Sequence, residues 1–404
     1  MTIKKIDGSV TTPMGFSASG VACGIKKDNA LDLGLLYSQV RCAAGGAYTT
    51  NQLKGASLLV SMEHLQNGHA QAVIVNSGNA NASTGERGLL DAREIARTTG
   101  RHLDIAREDV VVASTGLIGE FLPLPKIRNG IQQAIAGLDP EGGPGMARAI
   151  MTTDTVPKYA AYRVNAEGRS ITLGGVAKGA GMIHPKMATM LAFLSTDARV
   201  AQETLRPMLL ETVGQSFNRI TVDRDTSCCD MVVLMSNGLA SSEEVQPRTE
   251  FGKAFREALL LLCKDLASQL VHDGEGATKV AKIVCRGARD DLEATRIAET
   301  IATSLLVKTA IFGGDPNWGR IVNAAGYSGM PFDVDKTELW IGSIKVFENG
   351  TPTDYRESDV AEILKQKEIQ IVFDLHRGSS ESEYLTSDLS HEYVKINSDY
   401  SHRT

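Results

Sequence analysis

The segment from Lys178 to Leu191, with the sequence KGAGMIHPKMATML, restricts the possible folds of this 404-residue chain more than any other part of it. Gly179 and Gly181 allow positive φ angles and the close approach of another group. His184-Pro185 then forms a stiff turn and disfavours helix before it. An apolar run of strand length follows, with one hydroxyl group, that of Thr189. Because a buried hydroxyl requires a partner, the simplest interpretation is that Thr189 bonds to a neighbouring carbonyl and has no other role.

Composition and length place the chain among ordinary globular proteins. Hydrophobic residues make up 42% and charged residues 22% of the sequence, which is typical of soluble domains. The length suffices for two domain-sized cores, or for one large core with an appendage. The net charge of −6 is spread without long runs of one sign, so nothing indicates binding to nucleic acid or to an anionic membrane.

The sequence also predicts the compartment. The first residues, MTIKKID, lack the apolar core of a signal peptide, and no apolar run is long enough to cross a bilayer. We therefore expect a cytoplasmic protein with reduced cysteines. Of the six cysteines, Cys228 and Cys229 are adjacent, which is a poor geometry for a disulfide and more typical of two small buried side chains.

Apolar periodicity predicts a mixture of helices and strands along the whole chain. We expect sheet structure over residues 1–60. Further along the chain, we expect Ser114-Thr115-Gly116 to form a turn at the carboxyl end of a strand. The predicted strands cover residues 72–75, 109–113, 159–164, 171–175 and 369–375, and the predicted helices cover residues 88–97, 127–138, 203–215, 251–270 and 292–307. Such a mixture indicates an α/β or α+β architecture.

The segment KGAGMIHPKMATML resembles the self-cleavage segment of the ornithine acetyltransferase family, and the resemblance extends from the loop at Asn76 to Asn397. It implies a cut between Ala188 and Thr189, giving an alpha chain of residues 1–188 and a beta chain of residues 189–404. These fragments would interleave, so the cut would not be a domain boundary. A hydroxyl needs a base to become a good nucleophile, and cleavage would give Thr189 an α-amino group with a reference pKa near 8.

The resemblance also implies the fold, the reaction and the assembly. It implies a two-domain α/β fold of layered helices and sheets, with a smaller C-terminal α/β domain, of the self-cleaving N-terminal-nucleophile type. The acetyl group of N-acetylornithine would pass through an acetyl-Thr189 intermediate to glutamate, giving ornithine and N-acetylglutamate for arginine biosynthesis. No metal or bound organic cofactor is implied, and whether acetyl-CoA is a second donor stays open. The expected assembly is a heterotetramer of two alpha and two beta chains.

Four residues before Thr189 match the family's site. Thr115 and Gly116 match the pair that stabilises the oxyanion, although an ordinary turn would also explain them. Thr152, rather than its neighbour Thr153, matches a threonine that touches substrate. The ammonium of Lys178 would hold a substrate carboxylate or raise acidity locally, whereas a lysine at an arbitrary position is usually exposed.

Two further matches follow Thr189. Glu275 matches a residue that binds the amino-acid substrate, consistent with a charge-assisted hydrogen bond to an ammonium; a glycine cap at the end of a helix is the simpler explanation. Asn397 matches a substrate contact near the C-terminus. The second contact in the tail would come from Ser401, His402 or Thr404, because this chain continues further than the family pattern.

The sequence departs from the family pattern at three positions. Lys186 stands where the pattern has asparagine, Arg224 where it has glycine, and Cys229 where it has asparagine. Arg224 should alter a turn, and Cys229 removes a polar side chain. These departures concern substrate specificity more than the nucleophile.

Two other functions are compatible with the same residues. An amidase or aminopeptidase with an N-terminal threonine would use water in place of glutamate as the acceptor. An uncut protein that binds a small molecule would use Thr189 only structurally. A denaturing gel separates the uncut protein from both enzymes.

Overall fold

The computed structural model describes residues 1–184, 190–240 and 243–399, which form two β-sheets and their covering helices. The strands are β1 Thr2–Ile6, β2 Phe16–Val21, β3 Leu33–Tyr48, β4 His69–Asn79, β5 Val110–Leu117, β6 Lys158–Ala166, β7 Arg169–Lys178, β8 Leu191–Thr196, β9 Ile220–Thr221, β10 Met231–Ser236, β11 Val280–Ala288, β12 Glu338–Ile341, β13 Ile344–Glu348, β14 Thr351–Pro352, β15 Glu368–Asp374 and β16 Ser380–Ser387. The α-helices are α1 Ala56–His64, α2 Gly85–Leu103, α3 Leu124–Ala136, α4 Gly143–Ala149, α5 Gln202–Gly214, α6 Glu250–His272, α7 Asp291–Thr303, α8 Leu305–Gly313, α9 Trp318–Gly326, α10 Glu357–Leu364 and α11 His391–Ser398. The predicted α/β class is confirmed.

The first sheet joins strands from both sides of position 189. Its order is β1-β6-β7-β8-β10-β3-β4-β5, with β2 beside β3. The pairs β8–β10 and β4–β5 are parallel, and the other pairs are antiparallel. Lys178 at the end of β7 lies opposite Leu191 at the start of β8. Both ends of the KGAGMIHPKMATML segment are therefore held in one ladder.

Helices cover both faces of this sheet. Leu194 and Leu234 point to one face and pack into a core with α5 and α6, whereas Phe193 and Val233 point to the other and pack with α1 and α4. Alternate side chains of a strand point to opposite faces, so strands buried on both faces are apolar throughout. This explains the continuous apolar runs in the sequence of β8 and β10.

The second sheet is built from residues after position 219. Its order is β14-β13-β12-β15-β11-β16-β9, and its apolar face packs against α7, α8, α9 and α10. The short β9 pairs with β16 in this sheet, and β10 belongs to the first sheet. The loop of residues 222–230 therefore carries the chain from one sheet to the other.

Three details of the predicted elements are wrong. Residues 114–116 are not a turn but the end of β5, which stays paired with β4 as far as Leu117. The predicted helix over 292–307 is two helices, because Ser304 leaves the helical conformation and its hydroxyl accepts from the amide of Val307 to begin α8. Residues 1–60 are not all sheet, since α1 begins at Ala56. The spacing of apolar residues continues through the end of β5, the break between α7 and α8 and the start of α1, so this pattern did not indicate where the elements begin and end.

The tail helix α11 is fixed to the body of the protein. The hydroxyl of Ser390 caps the helix by accepting from the amide of Tyr393, and it donates to the carbonyl of Gly276. The hydroxyl of Tyr393 donates to Asp223, in the loop between the sheets, over 3.3 Å. A Cβ atom at Gly276 would lie 2.4 Å from the amide nitrogen of Tyr393, so this docking requires glycine there.

The loop of residues 222–230 contains a strained arginine. Exposed Arg224 has a φ of 70°, a left-handed conformation that costs an ordinary residue about 1–2 kcal/mol. Its neighbour Asp223 accepts hydrogen bonds from the amides of Met182 and Ile183 at 2.5 and 2.8 Å. The turn therefore keeps the geometry of a glycine turn although glycine is absent.

Replacing Arg224 by glycine should stabilise the protein. The free energy gained by removing the left-handed strain is larger than the free energy lost because glycine gives the unfolded chain more conformational entropy. We therefore expect the free energy of unfolding to rise by about 0.5–1 kcal/mol. Arg256→Gly, in the exposed middle of α6, is the matched control and should lose about 1 kcal/mol. Urea unfolding of both variants measures these changes, and a loss in Arg224→Gly would contradict the strain.

Candidate active site

A cavity of about 230 Å³ lies where the ends of β5 and β7 meet the loop of residues 222–230. It brings together residues that are far apart in the sequence. The lining residues are Ala80, Thr115, Gly116, Leu117, Ile118, Thr152, Thr153, Lys178, Gly181, Met182, Ser227, Cys228, Cys229, Glu275 and Asn397. Six of the predicted site residues therefore surround one space: Thr115, Gly116, Thr152, Lys178, Glu275 and Asn397.

Three predicted site residues, Ala188, Thr189 and Thr404, lie outside the described residues, as does Lys186. The described chain resumes at Met190, which is buried and donates its amide to the carboxylate of Asp230 over 2.9 Å. Asp230 belongs to the cysteine-containing loop that lines the cavity. The backbone that follows Thr189 is therefore anchored beside this cavity.

Thr115 and Gly116 are positioned by the parallel pairing of β5 with β4. Gly116 lies opposite Gly78 and has a φ of 135°. A Cβ atom there would lie 2.3 Å from the carbonyl carbon of Gly78, so only glycine fits. The hydroxyl of Thr115, one residue earlier, accepts from the ammonium of Lys178 over 3.4 Å.

Lys178 is a buried lysine between two hydroxyl groups. Its side chain donates to Thr152 over 2.7 Å and to Thr115, and the residue is only 2% exposed. Burial lowers the pKa of its ammonium, and the negative charge of Asp154, 3.9 Å away, opposes that effect. An ammonium has only donors, so each threonine keeps its own hydroxyl proton available to donate elsewhere.

Lys178 belongs to a buried network of two cations and two anions. Asp154 accepts from Lys158 and from the amide of Gly179, each over 2.6 Å. Lys158 also donates to Asp273 over 2.6 Å, and Asp273 accepts from the amide and hydroxyl of Thr155. Burial would raise the pKa of Asp154, but the charges of Lys178 and Lys158 outweigh it and lower the pKa to about 2.

Glu275 and Asn397 meet across the cavity from Thr115. The amide group of Asn397 donates to Glu275 Oε2 over 2.8 Å, and Glu275 is 7% exposed. A Cβ atom at Gly181 would lie 2.3 Å from the Glu275 carboxyl group, so this glycine makes room for the carboxylate. The simpler explanation, a glycine cap on α6, does not hold, because Asp273 is the C-cap of the helix and the glycine that follows, Gly274, does not have the positive φ of such a cap.

The remaining wall contains Cys228 and Cys229, and Asp230 follows them directly in the chain. All three are buried, and both cysteines are free thiols, as predicted. Among residues 1–184, 190–240 and 243–399, nothing forms a hydrogen bond to the buried Oδ2 of Asp230, and burial raises the pKa of this carboxyl group well above its ordinary value. Asp230 is therefore a protonatable group that lies one hydrogen bond from the backbone next to Thr189.

Comparison with known proteins identifies the family. The ArgJ family profile matches residues 17–402. The bifunctional arginine biosynthesis protein ArgJ of Symbiobacterium thermophilum is 46% identical over 395 residues, covering 97% of this chain and 98% of the relative. The chain belongs to the ArgJ family. Another ArgJ protein, from Dehalococcoides mccartyi, is 46% identical over 396 residues, covering 98% of this chain and 97% of the relative.

Solved structures of ArgJ-type proteins are also similar to this chain. One is the crystal structure of ornithine acetyltransferase complexed with ornithine from Mycobacterium tuberculosis. It is 41% identical and covers 46% of this chain and 98% of its own, with a TM-score of 0.43.

The described part of this ArgJ family member shows neither a metal-binding cluster nor a membrane-spanning helix. Residues 1–184, 190–240 and 243–399 contain no group of three or more His, Cys, Asp or Glu side chains arranged to hold a metal ion. In the same part of the chain, no helix is both long enough and apolar enough to cross a membrane.

Sequence reasoning missed the residues that support the candidate site. Asp154, Lys158 and Asp273 do not differ in sequence from ordinary surface charges, and only the fold shows that they are buried together. Asp230 was also missed. Its position directly after two cysteines and before the apolar β10 was the available signal, because a carboxylate there is drawn into the core.

Lys158→Met should strongly destabilise the protein. The change leaves Asp154 and Asp273 without their shared cation, and breaking a buried pair in this way costs about 3–5 kcal/mol. Lys253→Met removes a lysine from an exposed pair with Glu250 and should cost at most about 1 kcal/mol. Urea unfolding measures both, and equal losses would show that the buried network contributes no more than a surface pair.

Proposed function

We propose that this chain is a self-cleaving acyltransferase of arginine biosynthesis, which moves an acetyl group from N-acetylornithine to glutamate through Thr189. The observation that carries the proposal is the cavity that brings Thr115, Lys178 and Glu275 together beside the backbone that follows Thr189. Membership of the ArgJ family and the names of its relatives support the same reaction. The transfer as proposed requires neither a metal ion nor an organic cofactor.

The first half of the reaction forms the acetyl-enzyme. The Thr189 hydroxyl attacks the acetyl carbonyl carbon, and its proton passes to the α-amino group that cleavage has created. Negative charge develops on the carbonyl oxygen, where the Gly116 amide and the Thr115 hydroxyl are the proposed donors. Because Thr115 accepts from Lys178, its own proton is directed toward that oxygen. Collapse of the intermediate breaks the C–N bond, and the proton leaves with ornithine.

The second half reverses these steps with glutamate. Its amino group attacks the acetyl-Thr189 ester, and the products are N-acetylglutamate and free Thr189. Glu275 uses Oε2 to accept from Asn397, so Oε1 is placed to accept from the free side-chain ammonium of N-acetylornithine. The amino group of glutamate, by contrast, attacks in its unprotonated form. Thr152, which also accepts from Lys178, directs its hydroxyl proton into the cavity to bind a substrate oxygen. A further contact from Thr404 is part of the proposal.

Self-cleavage between Ala188 and Thr189 would leave the fold connected through its sheet. The ladder between β7 and β8 joins the proposed alpha chain of residues 1–188 to the proposed beta chain of residues 189–404, and so does the ladder between β3 and β10. These ladders support a complex in which the fragments stay together. We propose that two alpha and two beta chains assemble as a heterotetramer, which sedimentation of the purified protein would measure.

Purified protein should contain two fragments, and the second should begin with Thr189-Met190-Leu191. Thr189→Ala removes the nucleophile, so it should leave one intact chain on a denaturing gel and should abolish transfer.

The parent enzyme, given N-acetylornithine and glutamate, should release ornithine and N-acetylglutamate in equal amounts. Free acetate in place of N-acetylglutamate would instead identify an amidase, and an uncut parent protein would contradict self-processing. Acetyl-CoA with glutamate tests the second donor.

Thr115→Ala should lower acetyl transfer by about 10²–10³, the usual loss for one oxyanion donor. Thr115→Ser keeps the hydroxyl and should retain most of the activity. Thr153→Ala removes another hydroxyl from the cavity wall and controls for the general effect of such a change. The measurement is kcat for ornithine release by the cleaved enzyme. Equal activities of the alanine and serine variants at position 115 would remove the hydroxyl from the mechanism.

A further inference from the structure

Cys228 and Cys229 place two thiols side by side in the wall of the cavity. Their sulfur atoms are 3.4 Å apart, and both residues line the same space as Lys178 and Glu275. Both side chains are otherwise buried, so the cavity is their route to small solutes. Neither cysteine has a part in the acetyl transfer described above.

The two thiols share their protons unequally. The hydrogen bond between the two thiols lowers the pKa of Cys228 to about 7, and burial opposes this effect. The same hydrogen bond and burial raise the pKa of Cys229 well above its ordinary value. A thiolate is the nucleophile and the metal ligand in cysteine chemistry, so at neutral pH the pair offers a reactive thiolate beside a thiol.

The geometry of the pair restricts what it can hold. Adjacent Cα atoms are about 3.8 Å apart, below the range of about 4.4–6.8 Å found for disulfides, so a direct S–S bond would be strained. An atom that bonds to both sulfurs avoids this strain, because the sulfurs then do not have to bond directly to each other. Soft thiolate ligands select soft ions, and tetrahedral zinc needs four ligands or three with water. Within the described residues no third His, Cys, Asp or Glu joins the pair.

We propose that Cys228 and Cys229 form a dithiol site for trivalent arsenic, supplied as arsenous acid, and that its occupation blocks the substrate cavity. Trivalent arsenic needs only two thiolates and one hydroxide. Two As–O bonds break and two As–S bonds form, and the two hydroxide groups leave as two molecules of water. One proton comes from the thiol, and the other comes from the second thiol or, where that cysteine is a thiolate, from the solvent. The oxidation state of arsenic does not change. The blocking of substrate rests on the proposed function, whereas the binding of arsenic does not.

The experiment starts with the purified protein and sodium arsenite, followed by desalting and measurement of bound arsenic. We expect one arsenic atom per chain, and protection of Cys228 and Cys229 from alkylation in a peptide map. The dithiol 2,3-dimercaptopropanol should release the arsenic, whereas 2-mercaptoethanol at the same thiol concentration should not. Absence of bound arsenic, or protection of other cysteines only, would overturn the proposal without any variant and without an activity assay.

Variants separate chelation from binding to single thiols. Cys228→Ser or Cys229→Ser leaves one sulfur, and loss of the second, intramolecular bond should weaken arsenite binding by about 10²-fold or more. Cys23→Ser removes a half-buried thiol from outside the cavity and should not change the affinity. Unchanged affinity in both single-serine variants at the pair would overturn the proposal. N-acetylornithine should compete with arsenite for the cavity. If arsenic binds to the pair but N-acetylornithine does not compete with it, the proposed substrate site is contradicted and the arsenic site is not.

Discussion

The buried ionic network of Lys178, Asp154, Lys158 and Asp273 is the constraint on which the rest of the site depends. Burying an unpaired charge is expensive, and the network avoids this cost because two positive and two negative charges balance. Lys158 is hydrogen-bonded to both carboxylates, and Lys178 lies 3.9 Å from Asp154. Both carboxylates also hold backbone in place. Asp154 accepts from the amides of Thr152 and Gly179, and Asp273 accepts from that of Thr155. The charges therefore position the loops that carry the hydroxyl groups, and Glu275 follows Asp273 by only two residues.

Local sequence patterns predicted most of the fold and failed where a boundary depended on tertiary contacts. The buried strands and the long helix α6 were visible as apolar runs and as a period of 3.6 residues. The break at Ser304 was not, because the apolar spacing of α7 and α8 is continuous while one hydroxyl caps the second helix. The extension of β5 through Gly116 depends on the close approach of Gly78, a contact between segments that no local pattern encodes.

The candidate site could also be predicted in part, but from a family resemblance and not from local sequence patterns. A resemblance spread over most of the chain predicted Thr115, Lys178, Glu275 and Asn397, and the structure places them around one cavity. It could not predict the charges behind them, since Lys158 in sequence does not differ from a surface lysine. It also treated Arg224 as a departure that alters a turn. The structure adds that the backbone at Arg224 is left-handed, so the arginine is in a conformation that glycine adopts more easily.

The pairing of Lys178 with Leu191 determines how the protein can reach its folded state. In one continuous chain, β7 and β8 are joined by residues 179–190, so their ladder forms after a short loop closure. Separate fragments would have to meet by diffusion, and the sheet would then depend on their concentration. The strands must therefore assemble before any cut at Thr189. After a cut, the folded enzyme would last because it unfolds slowly, which is kinetic stability. Separated fragments would not readily refold together.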